Sequence, residues 1–196
     1  MSQPDYITSM DLPLKDKADL DADVREAFDY LEENHGLVPN ILKAYTFDQD
    51  KLRPFMQLYE SIMVADSELS MLEREMIGVV VSSVNNCFYC QVAHGASVRG
   101  LSGDPELGEM MVMNYRVADL EPRQRDMLDF AVKVTEKSYE IGEEDREILR
   151  GHGFSERAIW DIASVAALFN FTNRVSSALD ILPNPEYHYL YRTVPE

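Results

Sequence analysis

Cys87 and Cys90, the only cysteines of this 196-residue chain, stand three residues apart, and His94 follows Cys90 by four. On a helix, residues three and four apart share a face, so the imidazole falls one turn from Cys90 and the two sulphurs lie close enough to bridge. Glu75 lies twelve residues before Cys87, near the start of the preceding apolar run. Two sulphurs, an imidazole and a carboxylate are the parts needed to form a reactive thiolate, relay its proton and recycle it.

Three other readings compete for the same stretch. Cys87, Cys90 and His94 could ligate a metal with Glu75 as a fourth ligand, but structural zinc normally uses two ligand pairs and the chain has no second Cys or His cluster. A thioredoxin-type motif would need a surrounding βαβ pattern, and none is present. The third reading makes the cysteines small apolar core residues with His94 satisfied locally.

These residues need elements to hold them, and the chain reads as helices joined by short turns. After an arm of about twenty residues carrying Pro4 and Pro13, the pattern predicts helices over 21–34 (stopped by Gly36), 40–46 and 50–64. Ser70-Met71-Leu72-Glu73 is a capping box opening the central helix. Asn85-Asn86 is expected to end that helix and cap the next, leaving Cys87 in the first turn of a helix that runs to Arg99 and stops at Gly100. Further helices are predicted over 105–115, 122–137, 143–150 and 155–181, followed by an extended tail from Pro183 rich in tyrosine. The expected fold class is all-α, a multi-helix bundle, with an arm over 1–20, a helical domain over 21–182 and a tail over 183–196. A faint internal echo pairs Ser70, Ile77 and Asn85 with Ser155, Ile162 and Asn170 at a constant offset of 85 residues. In the second copy Thr172 and Val175 stand where the cysteines are in the first.

Apolar content of 45% and charged content of 27% are ordinary for a globular protein. A net charge of −17 argues against nucleic acid, whose phosphates need a basic face. Much of that charge lies between Asp16 and Glu33, with Val24, Ala27, Phe28 and Leu31 on the opposite helical face, so it reads as a solvated surface. No run is apolar enough to span a bilayer, and Met1-Ser2-Gln3-Pro4-Asp5 lacks the regions of a signal peptide. A cytoplasmic location is the expectation, and there a lone Cys-x-x-Cys is redox-active or metal-binding more often than a staple. Nothing in the sequence suggests haem, flavin or a nucleotide. His35 and His152 precede glycines and read as helix-end groups, His188 as surface or interface, and Trp160 as core or subunit contact.

Glu75, Cys87-Phe88-Tyr89-Cys90 and His94 together resemble the Glu-x11-Cys-x-x-Cys-x-x-x-His pattern of the alkylhydroperoxidase AhpD-like group within the carboxymuconolactone decarboxylase superfamily. The string Ser82 to Cys90 is similar to its peroxidase-related branch, as are Gly36-Leu37-Val38-Pro39-Asn40, the 122–137 helix and Phe169-Asn170-Phe171-Thr172-Asn173-Arg174. The resemblance implies an all-α homo-oligomer, with a hexamer favoured over a dimer or trimer. It also implies an antioxidant thiol-dependent hydroperoxidase in which Glu75 acts through His94 to free the Cys90 thiolate. Cys90 attacks the hydroperoxide, Cys87 closes the disulfide, and an external dithiol, a lipoyl or thioredoxin-like carrier, reduces it. Arg99, Arg116 and Arg123 are candidates for docking an acidic carrier. Tyr89 occupies the position of a second family histidine, so it is at most an auxiliary group. The alternative function is a non-turnover redox sensor or interaction protein whose Cys87–Cys90 disulfide alters assembly.

The two sulphurs are distinguished by opposing effects. Cys87 lies nearer the helix N-terminus, whose dipole favours a thiolate by about 0.3–1 kcal/mol. His94 lies nearer Cys90, and a positioned base contributes ~10²–10⁴-fold in rate. The larger effect names Cys90 as the attacking sulphur.

Overall fold

The computed structural model describes residues 2–193, so the first residue of the expected arm and the last three of the expected tail lie outside it. Among the described residues every regular element is helical. The helices are α1 (Ala22–His35), α2 (Asn40–Ala44), α3 (Gln49–Tyr59), α4 (Met71–Val84), α5 (Phe88–Ser102), α6 (Pro105–Asn114), α7 (Pro122–Lys137), α8 (Glu143–Gly151) and α9 (Glu156–Ala178). The all-α expectation holds.

Helix α4 is the axis of the bundle. Its cap forms as the sequence predicts: Ser70 Oγ accepts from the Glu73 amide at 3.2 Å, and Glu73 Oε2 accepts from the Ser70 amide at 2.8 Å. From Glu73 to Ser82 every residue is buried, because α5, α6, α7 and α9 all pack around it. An apolar run such as Ile77 to Val81 is stable as a helix only when it is covered on all sides. A second, smaller core of Leu20, Val24, Phe28, Val38 and Leu52 ties α1 and α3 to the chain around α2.

The α4–α5 turn differs from the expectation in a way that bears on the site. Asn86 adopts a left-handed φ of 53°, its amide donates to the Ser83 carbonyl at 3.0 Å, and the Cys87 amide donates to the Ser82 carbonyl at 2.9 Å. This is a Schellman closure with Asn in the role usually taken by Gly. The turn therefore makes Cys87 the N-cap of α5 and not a first-turn residue.

Helix α5 also runs past the expected stop at Gly100, ending at Ser102 with Gly103 in the left-handed conformation at φ 69°. Gly100 is there for packing: a Cβ on it would lie 2.8 Å from the Tyr191 ring. Other boundaries shift by a few residues. The segment after α3 closes as a π-turn over Glu60–Val64, and α9 ends at Ala178, short of the expected 181.

The tail is not simply extended. It makes a 3-10 turn over Pro185–His188, and Arg99 donates to the Leu190 carbonyl at 3.0 Å and the Tyr187 carbonyl at 2.8 Å. The arm lies along the same end, with the Ser9 amide on the Leu179 carbonyl and the Leu182 amide on the Ile7 carbonyl. The internal echo has a physical counterpart, since Asn85 donates to its offset partner Asn170 at 3.1 Å. Trp160 is 74% exposed, which removes the core reading of that residue.

Candidate functional site

Three helices meet at the two thiols. Helix α4 supplies Glu75, α5 supplies Cys87, Cys90 and His94, and the C-terminal half of α9 covers them. Glu75 Oε2 and His94 Nδ1 are 2.6 Å apart, with both side chains largely buried. A carboxylate on Nδ1 fixes the imidazole tautomer and leaves Nε2 as the nitrogen that exchanges a proton. Phe169 packs edge-on against the His94 ring, with centroids 4.6 Å apart and an interplanar angle of 85°. That contact needs Gly78, because a Cβ there would fall 2.4 Å from the Phe169 ring.

Both cysteines are free thiols, each 1% exposed. The two thiols influence each other strongly, and each is the largest influence on the acidity of the other. The Cys87 thiol is pulled down to about 6, first by the Cys90 thiol and then by the Cys90 amide, Ser177 and the charge of a protonated His94. Cys90 is held well above the ordinary thiol range by the neighbouring Cys87 thiol and by its own burial, while Asn173 and Thr172 act in the opposite direction.

Helical spacing puts His94 one turn from Cys90, and the charge of His94 also acts on Cys87, the more acidic of the two thiols. The main cause of that acidity is the neighbouring Cys90 thiol, with the Cys90 amide at the helix start adding to it. The pair as a unit releases its first proton easily.

The Tyr89 hydroxyl accepts from the Ile41 amide at 3.2 Å, so this buried ring secures the start of α2. Its burial keeps the phenol neutral. The three arginines expected to form a basic docking patch do not form one. Arg99 is buried under the tail, Arg123 is paired with Glu73 and lies 3.8 Å over the Phe154 ring, and Arg116 is bonded to Asp129 at 3.2 Å.

Thr172, Asn173 and Ser177 on α9 line the sulphurs, and sequence reasoning gave them no role. The available signal was polar side chains interrupting the apolar face of α9, a position where a hydrogen-bonding group must find a partner. Among the described residues no group of three or more Cys, His, Asp and Glu side chains is arranged to hold a metal ion. No described helix is long and apolar enough to cross a membrane.

A model of the carboxymuconolactone decarboxylase family matches residues 50–107, the segment that carries Glu75, both cysteines and His94. An uncharacterised peroxidase-related protein from Silicibacter sp. TM1040 has a similar solved structure. It is 57% identical, with a TM-score of 0.93 covering 98% of this chain and 100% of that one. A second uncharacterised peroxidase-related protein, an alkylhydroperoxidase AhpD core from Ralstonia eutropha JMP134, is 37% identical, with a TM-score of 0.93 over 97% of this chain and 99% of that one. The debrominase Bmp8, solved with 2,3,4-tribromopyrrole, shares the fold alone, at 20% identity and a TM-score of 0.75 over 95% of this chain and 96% of that one. No curated protein matches. A carboxylate, an imidazole and two buried thiols, held by a helical frame shared over nearly its whole length with such relatives, identify this chain as a member of the AhpD-like, peroxidase-related group of the carboxymuconolactone decarboxylase family.

Proposed function

We propose that this protein is a thiol-dependent hydroperoxidase in which Glu75, His94, Cys87 and Cys90 form one proton relay. The observation that carries the reading is the carboxylate–imidazole couple, with 2.6 Å between Glu75 Oε2 and His94 Nδ1, on the helices that also hold the two buried free thiols.

In the resting state Cys87 is the thiolate and its proton resides on the Glu75–His94 couple. Cys90 passes its own proton to Cys87 as it attacks the terminal peroxide oxygen. The sulphur lone pair forms the S–O bond, the O–O bond breaks, and the leaving alkoxide takes the proton from Cys87 to depart as an alcohol. Cys87, again a thiolate, attacks the Cys90 sulfenic acid, and the expelled hydroxide takes a proton from His94 and leaves as water. An external dithiol, of lipoyl or thioredoxin-like type, then reduces the disulfide by exchange.

Cys90 is assigned the attack although Cys87 holds the resting charge. Nucleophilicity falls as a thiol becomes more acidic, so Cys90 is the stronger attacking sulphur once deprotonated, and the adjacent Cys87 thiolate supplies a nearby acceptor for its proton. In this scheme Cys87 is first a base and then the resolving thiol.

The experiment is sulfenic acid trapping with dimedone after a pulse of organic hydroperoxide. Cys87→Ser is expected to carry the label on Cys90 and to form no disulfide. Cys90→Ser is expected to react far more slowly, and Glu75→Gln to slow the first step with both thiols retained. Exchanged labels would make Cys87 the attacking sulphur, and no label in either variant would remove the peroxidase reading.

A further inference from the structure

We propose that Arg74 is the anchor of a carboxylate-binding site. The edge of its guanidinium formed by Nε and Nη2 takes the carboxylate of a small organic ligand, between the α3–α4 connection and the first turn of α4. This site stands on the surroundings of the arginine and is independent of the peroxidase reading.

Arg74 is 6% exposed. Its Nη1 donates to the Ala65 carbonyl at 2.8 Å, whereas its Nε is buried with no hydrogen-bond partner among the described residues. The two carboxylates that flank it in the chain are committed elsewhere, Glu73 to Arg123 and Glu75 to His94. A buried charge is normally paired, because taking it out of water alone costs far more than burying a neutral group. A guanidinium cannot escape that cost by losing its proton. The second buried side-chain atom without a partner, Ser176 Oγ, is a neutral hydroxyl that can rotate, so it makes no comparable demand.

The guanidinium plane is also held in place. The Ala65 amide closes the π-turn onto the Glu60 carbonyl at 2.9 Å, and the Ala65 carbonyl then fixes Nη1. Such π-turns stand frequently at functional sites. With Nη1 fixed, Nε and Nη2 present two parallel N–H groups, the spacing that a planar carboxylate accepts with both oxygens. Lysine could offer charge there but not the fork. A small ligand suits the position better than the face of a second copy, because nearly all of the side chain lies below the surface and its occupant must enter the fold.

The test uses the full reduced chain with sodium hexanoate as the probe, hexanamide as its uncharged counterpart and sodium chloride to match ionic strength. Urea midpoints are read together with the arginine Nε–H signals in a proton–nitrogen correlation spectrum, the Arg74 signal being the one missing from Arg74→Lys. Hexanoate is expected to shift that signal saturably and to raise the midpoint. Beyond half-saturation, each tenfold of hexanoate should raise the folding equilibrium constant about tenfold. Neither hexanamide nor chloride should move the signal. Arg74→Lys, which keeps a charge and loses the fork, should need about tenfold more hexanoate for the same stabilisation, the equivalent of one charge-assisted hydrogen bond. Arg74→Met should lose the response, and the lysine variant carries the comparison where the methionine variant fails to fold. No shift of the Arg74 signal with hexanoate overturns the proposal, as does equal stabilisation of wild type and folded variants. A signal that follows protein concentration and ignores hexanoate gives the fork to a second copy and overturns it too.

Discussion

A thiol at position 87 sits at a helix N-cap, faces a neighbouring S–H and lies within the field of His94, and each of these favours its charged form. Because the Cys90 thiol is the largest contributor, Cys90→Ala should raise the Cys87 titration from about 6 towards the usual thiol range. Thiolate absorbance checks this, and an unmoved midpoint would assign the stabilisation to the helix amides alone. The same shift predicts a pH dependence of folding. Between about pH 6 and the unfolded thiol value of about 8.5, the unfolded chain binds more protons at this position than the folded one. The stability contributed by the Cys87 thiolate is therefore complete above the unfolded value and is lost as pH falls through about 6. Urea unfolding of the reduced protein should show its advantage over Cys87→Ser widening from pH 6 to pH 9, and a constant difference would contradict the assignment. Spacing foreshadowed the meeting of Glu75 and His94, which stand 2.6 Å apart. The acidity of Cys87 was not legible, because it depends chiefly on how the Cys90 thiol is set against it.

At the scale of elements, the site depends on how closely α9 approaches α4. Gly78 is the contact point, and Gly78→Ala drives a methyl into the Phe169 ring that packs on His94. Overpacking of this kind costs about 1–3 kcal/mol, and it should slow the peroxide reaction as well, since His94 loses its lateral support. Ser70→Ala, at the other end of α4, should cost about 1 kcal/mol and leave the reaction rate unchanged. Denaturant midpoints and single-turnover rates measured on both variants separate the two effects. Equal kinetic losses would show that α4 stability and not the α4–α9 distance governs the site. The capping box, Gly36 as a C-terminal stop and the prolines opening α6 and α7 made these helices readable in sequence. The Asn86 closure was missed because Asn serves either as an N-cap or as a left-handed C′ residue, and only the backbone decides. The lining of α9 was unreadable for a related reason: Asn173 and Thr172 gain meaning only when packing sets them against sulphurs more than 80 positions earlier in the chain.

For the whole molecule, Arg99 and Arg123 are engaged in internal contacts, and the net charge of −17 per chain makes copies repel one another. Met113, Trp160 and Tyr189 are each more than 70% exposed. A homo-oligomer is expected, with a hexamer favoured, and its association should tighten as salt screens the repulsion between copies. Light scattering checks this, and a mass of 22.4 kDa at micromolar concentration would contradict it. The most direct test of the account is hydroperoxide consumption by the purified, reduced protein with a dithiol such as dihydrolipoamide in excess. The relay described above predicts sustained consumption of many equivalents per chain, abolished in Cys90→Ser. A single equivalent consumed per chain, followed by silence while reductant remains, would show a redox sensor and contradict the peroxidase assignment.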